Sequence, residues 1–296
     1  MEKQAPALMG ASVETPEGMM GLKQPKPMKR ILKRLSPVLG KRRFQRFFEA
    51  MHAISLAGMN FGVGGNPEKS GEIAAARYVA GKLGGVQGAV IFDVGANVGT
   101  YALLLLDNIK CAGLKIFAFE PSTEAFSKLE RNVAGRKNIS PWNLGLGEED
   151  GLATLFYDSP ASTLASVYKR RLDHLNIAVG LNEDVRMRTI DSFCGENGID
   201  RINFLKLDVE GHELSVLKGA KRMMESGAID FIQFEFGGCN IDSRTYFQDM
   251  FYLLKPRYDI YRVLKNGLYP VREYMETHEI FITTNYLAEN KHLRRT

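Results

Sequence analysis

Short apolar runs alternate with segments of helical periodicity along most of the chain. Four apolar runs predict buried strands, at residues 90–94, 116–119, 204–207 and 231–236. Apolar residues at helical spacing predict helices, at residues 72–83, 101–106, 123–133 and 214–224. Strands that alternate with helices in this way are typical of βαβ units and a parallel sheet. We therefore predict a doubly wound α/β fold.

Further strands are predicted outside that alternation. Residues 153–157 and 185–189 have the composition of extra strands. Near the end, residues 258–263 and 279–284 flank a loop that contains Gly267 and Pro270. This arrangement predicts a hairpin that closes one edge of the sheet.

The first 85 residues follow a different pattern. Residues 1–27 contain prolines and glycines without periodicity, which predicts a flexible tail. Residues 28–85 predict a basic helical N-terminal extension, in which Pro37 and Gly40 separate two short amphipathic helices. The α/β domain is then predicted over residues 86–290.

Positive charge is concentrated in this extension. Between residues 21 and 48 there are ten lysines and arginines and no acid, which exceeds the formal net charge of +5 for the whole chain. The rest of the chain is therefore net negative, and we expect no nucleic-acid binding by the main domain. Two interpretations of residues 23–46 remain open: a helical cap with solvated charges, or a surface for an anionic membrane or an acidic partner.

Composition suggests a protein of the cytoplasm. The cysteines Cys111, Cys194 and Cys239 are too few and too scattered for a disulfide framework or a zinc cluster. No stretch reaches the roughly 18 apolar residues of a membrane span, and no signal-peptide pattern is visible at the N-terminus. We expect a reducing, cytoplasmic environment.

A glycine-containing turn follows the first strand. Asp93 ends that strand and Gly95, Ala96, Asn97 and Gly99 follow in a GxxxG spacing. Glycines there allow close approach of a ligand at the carboxyl ends of the strands. The spacing differs from the GxGxxG dinucleotide fingerprint, and an acid so near the turn disfavours a phosphate but suits a cation. The pattern indicates a cationic ligand such as S-adenosylmethionine.

Carboxylates end three further strands. Glu120, followed by Pro121, is placed to accept hydrogen bonds from both hydroxyls of a ribose. Asp208, Glu210 and His212 crowd the turn after the third strand, and such clusters mark functional sites more often than chance.

The fourth strand brings Glu235 to the same edge. Asp208 and Glu235 could together hold Mg²⁺ or orient a substrate hydroxyl. We do not favour the metal, and no histidine pair shows metalloprotease spacing.

These motifs resemble those of the FkbM family of methyltransferases. The matching phrases are IFDVGANVGTYALLL, FAFEPSTEAFSKLERNV, VRMRTIDSFCGENGIDRINFLKLDVEGHELSVLKGA and FIQFEFGG. The resemblance implies a class I, Rossmann-like methyltransferase fold with a mostly parallel seven-stranded sheet, and S-adenosylmethionine held by residues 93–99 and Glu120. The family often has a small residue at position 212, so the resemblance assigns no role to His212.

We therefore expect an S-adenosylmethionine-dependent methyltransferase, most simply an O-methyltransferase acting on a sugar or small metabolite. The expected catalytic residues are Asp208, with Glu210, His212 and Glu235 in second place. The alternatives are a nucleotide-dependent oxidoreductase and a cofactor-binding partner protein without catalysis. The identity of the acceptor and the oligomeric state are not readable from the sequence.

Overall fold

The computed structural model describes residues 34–63 and 67–294. The chain divides into two compact units, Met1–Ile54 and Ser55–Thr296. The predicted tail at 1–27 and the start of the first basic helix lie outside the described residues. The second basic helix is α1, Gln45–Gly58, which follows a 3₁₀ turn at Arg42–Phe44.

The larger unit contains most of the helices and all the strands of the described part. Its helices are α2 Pro67–Ser70, α3 Glu72–Lys82, α4 Thr100–Asn108, α5 Thr123–Val133, α6 Ile190–Asn197, α7 Glu213–Lys218, α8 Lys221–Glu225, α9 Cys239–Ser243 and α10 Phe247–Leu254. Its strands are β1 Val90–Val94, β2 Lys115–Phe119, β3 Ile139–Trp142, β4 Gly145–Leu146, β5 Gly151–Tyr157, β6 Leu181–Arg188, β7 Ile202–Leu207, β8 Ile229–Phe236, β9 Tyr258–Leu264, β10 Gly267–Val271 and β11 Thr284–Asn290.

Eight strands form the main sheet in the order β10-β9-β11-β8-β7-β1-β2-β3. Neighbours among β8, β7, β1, β2 and β3 are parallel. Strand β11 is antiparallel to both β8 and β9, and β10 is antiparallel to β9. The predicted doubly wound α/β class is confirmed, although the sheet has eight strands instead of the expected seven because β10 adds an edge.

Alternate residues of the central strands face opposite layers of helices. Phe92 and Leu205 belong to one buried cluster with side chains of α6, α7, α8 and α10. Ile91 and Phe204 belong to another, with side chains of α3, α4 and α5. Burial of both faces explains why these strands are almost continuously apolar. Because α3 contributes to this core, the larger unit begins well before the residue 86 expected from the sequence.

A second sheet, in the order β4-β6-β5, stands apart from the first. The two strands predicted outside the α/β alternation form its antiparallel pair, β5 and β6. Between them runs a loop, residues 158–180, which we call the β5–β6 loop. Its residues Ser162, Thr163, Ala165 and Val167 line the cavity described below.

Three predicted elements were wrong in detail. The helix expected at 214–224 is two helices separated at Gly219, where a Cβ would lie 1.9 Å from the carbonyl oxygen of Gly147. The strand expected at 279–284 lies instead at Thr284–Asn290, and it enters the sheet between β8 and β9 instead of closing the edge. The loop containing Gly267 and Pro270 is itself strand β10. None of the described helices is long and apolar enough to span a bilayer.

Candidate active site

A cavity of about 120 Å³ lies at the carboxyl ends of β1, β2 and β7. Its polar wall includes Asn97, Glu120, Asp208, Glu210 and His212. Its apolar wall is formed by residues of β1, β2 and the small sheet, which include Val94, Phe119, Leu144, Leu146, Leu155 and Met187. The sequence predicted a ligand crevice at this edge of the sheet, and the cavity lies there.

The glycines of the turn after β1 are needed for packing between protein segments. Gly95 has φ +78°, and a Cβ there would lie 1.8 Å from the carbonyl oxygen of Asp208. Gly99 has φ +88°, and a Cβ there would lie 2.7 Å from the side chain of Leu129. Gly95 also lines the cavity, whereas Gly99 and the buried Ala96 do not. Close approach of a ligand, the reason expected from the sequence, therefore stays a prediction and concerns Gly95.

Asp93 does not line the cavity, contrary to expectation. It is completely buried, and its Oδ1 lies 3.5 Å from Nζ of Lys206. Burial raises the pKa of Asp93, an effect that Lys206 opposes. Asp93 therefore forms part of a buried ion pair under the site.

Glu120 does reach the cavity, and its carboxylate is fixed by the backbone. Oε2 accepts a hydrogen bond from the N–H of Asn97 (2.8 Å), and Oε1 accepts one from the N–H of Ser122 (2.9 Å). The backbone around Glu120 and Pro121 is held by the amide of Asn143, which donates to both carbonyl oxygens. Burial raises the pKa of Glu120 to about 7. Each oxygen retains a free lone pair for a ligand donor.

Three carboxyl groups meet beside this cavity. Asp208, Glu210 and Glu235 each offer an oxygen within 4.8 Å of the others. Burial, and then the charge of Asp208, raises the pKa of Glu210 to about 8 and that of Glu235 well above its usual value. Asp208 keeps a partner, since Nζ of Lys206 donates to its Oδ2 at 3.0 Å.

Lys206 is the buried centre of this charge network. It is paired across the sheet with Asp93 on one side and with Gln233 on the other. Its Nζ lies 4.8 Å from the centroid of the Tyr101 ring, whose hydroxyl donates to Gln233. Burial acts to lower the pKa of Lys206, but the nearby acids Asp208, Asp93 and Glu72 together raise it further than burial lowers it.

Sequence reasoning missed Lys206, Gln233 and Tyr101. The available signal was a polar residue inside a strand that is otherwise apolar, as in FLKLD and FIQFEF. A buried lysine requires a charged partner, so its presence in β7 implied that an acid lies beside it.

The β5–β6 loop is attached to the site by several polar contacts. Nη1 of Arg170 lies 2.5 Å from Glu210, and its Nε lies 3.8 Å from Asp242. The hydroxyl of Ser166 donates to the carbonyl oxygen of Glu210 at 2.8 Å, and the Asn97 amide donates to the carbonyl oxygen of Ser162 at 3.1 Å. Nothing in the sequence pattern singled out Arg170.

His212 is a weak base in this setting. Its Nδ1 lies 3.2 Å from the hydroxyl of Tyr168, and burial lowers its pKa to about 4. Glu213, next in the chain, is fully buried and accepts hydrogen bonds from the N–H groups of Val209 and Gly211. Burial raises the pKa of Glu213 to about 7. Glu213 is therefore a structural part of the turn that presents Asp208 and Glu210.

A second cleft of about 990 Å³ adjoins the first. Thr163, Asp208 and Glu210 line both, whereas Glu235 lines only the second. Residues of the β5–β6 loop and of segment 238–242 form much of its wall. Asp208 thus lies at the junction of two ligand-sized spaces.

Known proteins of similar sequence indicate the family of the chain. The sequence model of the Methyltransferase FkbM domain matches residues 93–262, more than half of the chain. The hexuronic acid methyltransferase AglP of Haloferax volcanii is 30% identical over 140 residues, which cover 46% of this chain and 52% of AglP. The 31-O-demethyl-FK506 methyltransferase FkbM of Streptomyces tacrolimicus is 31% identical over 164 residues, which cover 45% of this chain and 60% of the relative.

The matches are partial in length. The chain spans little more than half the length of these curated relatives. Among solved structures, a methyltransferase FkbM from Methylobacillus flagellatus aligns with a TM-score of 0.40 and 19% identity over 68% of this chain and 43% of the other. Because the family model covers β1 through β9, including Glu120, Asp208 and Glu235, the chain belongs to the FkbM methyltransferase domain family.

Proposed function

We propose that this chain is an S-adenosylmethionine-dependent O-methyltransferase whose acceptor is a hydroxyl of a sugar or another small metabolite. The observation that supports this most directly is the set of acidic side chains that line the first cavity. Three carboxyl groups line it, and no lysine or arginine does so among the described residues. Such a wall suits the ammonium and sulfonium groups of S-adenosylmethionine and disfavours a pyrophosphate.

The residues around the cavity fit this cofactor. We propose that Glu120 accepts hydrogen bonds from ribose hydroxyls, because its carboxylate is anchored yet retains free lone pairs. Gly95, Asn97 and Pro121 would complete the polar contact surface. The apolar side chains of Phe119, Leu146 and Met187 offer a surface for a nucleobase. Asp93, Ala96 and Gly99 would act indirectly, by holding the loop.

When bound, S-adenosylmethionine supplies an electrophilic methyl group that an acceptor oxygen can attack. We propose that Asp208 orients the acceptor hydroxyl and takes its proton, since it faces both cavities. Lys206 would fix the Asp208 carboxylate in place. Glu210 is engaged by Arg170, and burial raises the pKa of Glu235 well above its usual value. His212, with its pKa lowered to about 4, is a poor general base.

Magnesium is the second candidate for this carboxylate group. The mutual distances of Asp208, Glu210 and Glu235 permit it, and oxygen ligands are those that Mg²⁺ prefers. However, Arg170 already neutralises Glu210. We therefore propose transfer without a metal.

The test is methyl transfer from tritiated S-adenosylmethionine to a panel of saccharides and small hydroxylated metabolites. With an acceptor in hand, Asp208→Asn should lower turnover by roughly 100-fold or more, the usual contribution of a general base. It should leave cofactor affinity nearly unchanged. Asp107→Asn, an exposed acid outside both cavities, is the matched control and should have the wild-type rate.

Three outcomes would count against the proposal. A wild-type rate in Asp208→Asn would remove its assigned role, and loss of activity in EDTA with rescue by Mg²⁺ would favour the metal. Cofactor binding without transfer to any acceptor would favour the non-catalytic alternative. The cytoplasmic location stays a prediction; it is compatible with Cys111, Cys194 and Cys239 all being free thiols.

A further inference from the structure

Helix α1 carries a row of large apolar side chains, and three of them are exposed. Phe47, Met51 and Ile54, which we call the α1 apolar row, have exposed fractions of 57%, 46% and 65%. Their spacing of four and three residues places them on one face of the helix. Single exposed apolar residues are ordinary, but a contiguous row of them marks an interaction surface.

A dense cluster of positive charge adjoins this row. Lys41, Arg42, Arg43 and Arg46 are all exposed, and they belong to the acid-free stretch of ten cations between residues 21 and 48. The first acid after this stretch is Glu49. The partner of this surface must therefore be anionic.

The positive charges and the α1 apolar row together favour an anionic bilayer over a nucleic acid as the partner. A nucleic acid would use the cations and leave the apolar row in water. A helix with Lys and Arg beside Phe, Met and Ile is the kind that lies in the headgroup layer of a bilayer, with its apolar face at the acyl boundary. Here the cations match the anionic headgroups, and the α1 apolar row matches the acyl chains.

We propose that the segment from residue 34 to residue 54 docks the protein on an anionic lipid bilayer. Its cations lie against phosphate-bearing headgroups, and the α1 apolar row inserts shallowly below them. Docking of this kind leaves the chain peripheral to the membrane. The proposal does not depend on the reaction catalysed by the larger unit.

Vesicle flotation of the full chain tests this. Vesicles of phosphatidylcholine mixed with phosphatidylserine should carry the protein, and vesicles of phosphatidylcholine alone should not. High salt should release it, because exposed charges are screened. The triple variant Arg42→Gln, Arg43→Gln, Arg46→Gln should lose roughly 100-fold in partitioning, from about fivefold for each cation.

The apolar half of the surface needs its own variant. Phe47→Gln with Ile54→Gln keeps every charge and should weaken partitioning at least about tenfold, because buried apolar area drives insertion. Leu152→Gln is the matched control, since Leu152 is 75% exposed on the larger unit, and it should float like the wild type. Circular dichroism and the thermal unfolding of each variant establish that it is folded.

Several results would overturn the proposal. Equal flotation with neutral and anionic vesicles, or none with either, would do so. Loss of binding in the arginine variant but not in the apolar variant would indicate an acidic macromolecule instead of a bilayer. Concentration-dependent dimers that Phe47→Gln dissociates, without vesicle binding, would show that the row joins two copies of the chain.

Discussion

Individual residues in this site are constrained by how closely protein segments approach each other. Gly95 shows this most clearly: its φ of +78° and the 1.8 Å that would separate a Cβ from the Asp208 carbonyl leave no room for another residue. The N–H groups of Gly95 and Ala96 both donate to the carbonyl of Phe119. One glycine thus joins β1, β2 and β7 where the proposed cofactor contacts converge.

Replacement of Gly95 by alanine should therefore lower the free energy of unfolding by at least about 2 kcal/mol, since strain and collision add. It should also weaken cofactor binding, because the loop must move. Gly81→Ala is the control: Gly81 lies within α3 and nothing stands within 4 Å of its Cβ position. That change should be neutral or stabilising by up to about 1 kcal/mol. Urea denaturation measures the free energy of unfolding of both variants. Equal stability of Gly95→Ala and the wild type would contradict the packing argument.

The sequence predicted carboxylates at strand ends better than it predicted their roles. Glu120, Asp208 and Glu235 all lie at the expected edge because parallel strands end there together. Asp93 was misassigned, because the ion pair that removes it from the cavity depends on Lys206, more than 100 residues away in the chain. Pairing across a sheet follows from register, which local patterns do not show.

At the scale of elements, the helices and strands that have strong local periodicity were predicted well. Helix α5 has the predicted bounds, 123–133, and the four central strands were found to within two residues. These elements bury apolar residues at the period that their geometry imposes. Their local preference and their tertiary packing agree.

Elements whose stability comes from distant partners were missed. Strand β11, with the sequence TNYLAEN, is buried throughout although four of its seven residues are polar. The amide of Asn290 donates to the carbonyl oxygen of Ile229, and Asn285 accepts from Gln233. A local pattern favoured the apolar run at 279–284 instead. The polar groups of β11 are tolerated because they find partners in the fold.

The break between α7 and α8 has the same kind of cause. Gly219 has no side chain, which allows the backbone of Gly147 to approach. The carbonyl oxygen of Gly219 accepts a hydrogen bond from the N–H of Asp191. The Asp191 carboxylate accepts from the N–H groups of Arg222 and Met223 and so caps α8. Gly147 and Asp191, whose contacts accompany this break, therefore lie far along the chain from residues 214–224.

At the scale of the whole molecule, the buried acids of the site make the stability of the fold depend on pH. The pKa values of Glu120 and Glu213 are raised to about 7, and that of Glu210 to about 8, chiefly by burial. A group with a raised pKa in the folded state contributes stability that is complete below its unfolded pKa and is lost as the pH rises through its folded pKa. His212, whose pKa is lowered, has the opposite effect, but only below its unfolded value of 6.5.

The cofactor-free protein should therefore lose stability as the pH rises from about 4.5, the unfolded value of these three acids, to about 8, because His212 opposes them as one group against three. Glu213→Gln should flatten part of this decline, because it removes one titrating group and keeps the acceptor for Val209 and Gly211. The contribution of Glu213 is of the order of 3 kcal/mol. Thermal unfolding over this pH range measures the effect. A wild-type stability that rises across it would contradict the assigned pKa directions.

The central claim is that the cavity at the ends of β1, β2 and β7 binds a cationic adenosyl cofactor and not a dinucleotide. Calorimetric titration of the purified chain with S-adenosylmethionine, S-adenosylhomocysteine and NAD⁺ tests it most directly. We predict saturable binding of the first two, weakened at least about tenfold by Glu120→Gln through loss of charge-assisted hydrogen bonds, and no binding of NAD⁺. Tight binding of NAD⁺, or no heat from S-adenosylmethionine, would contradict the account.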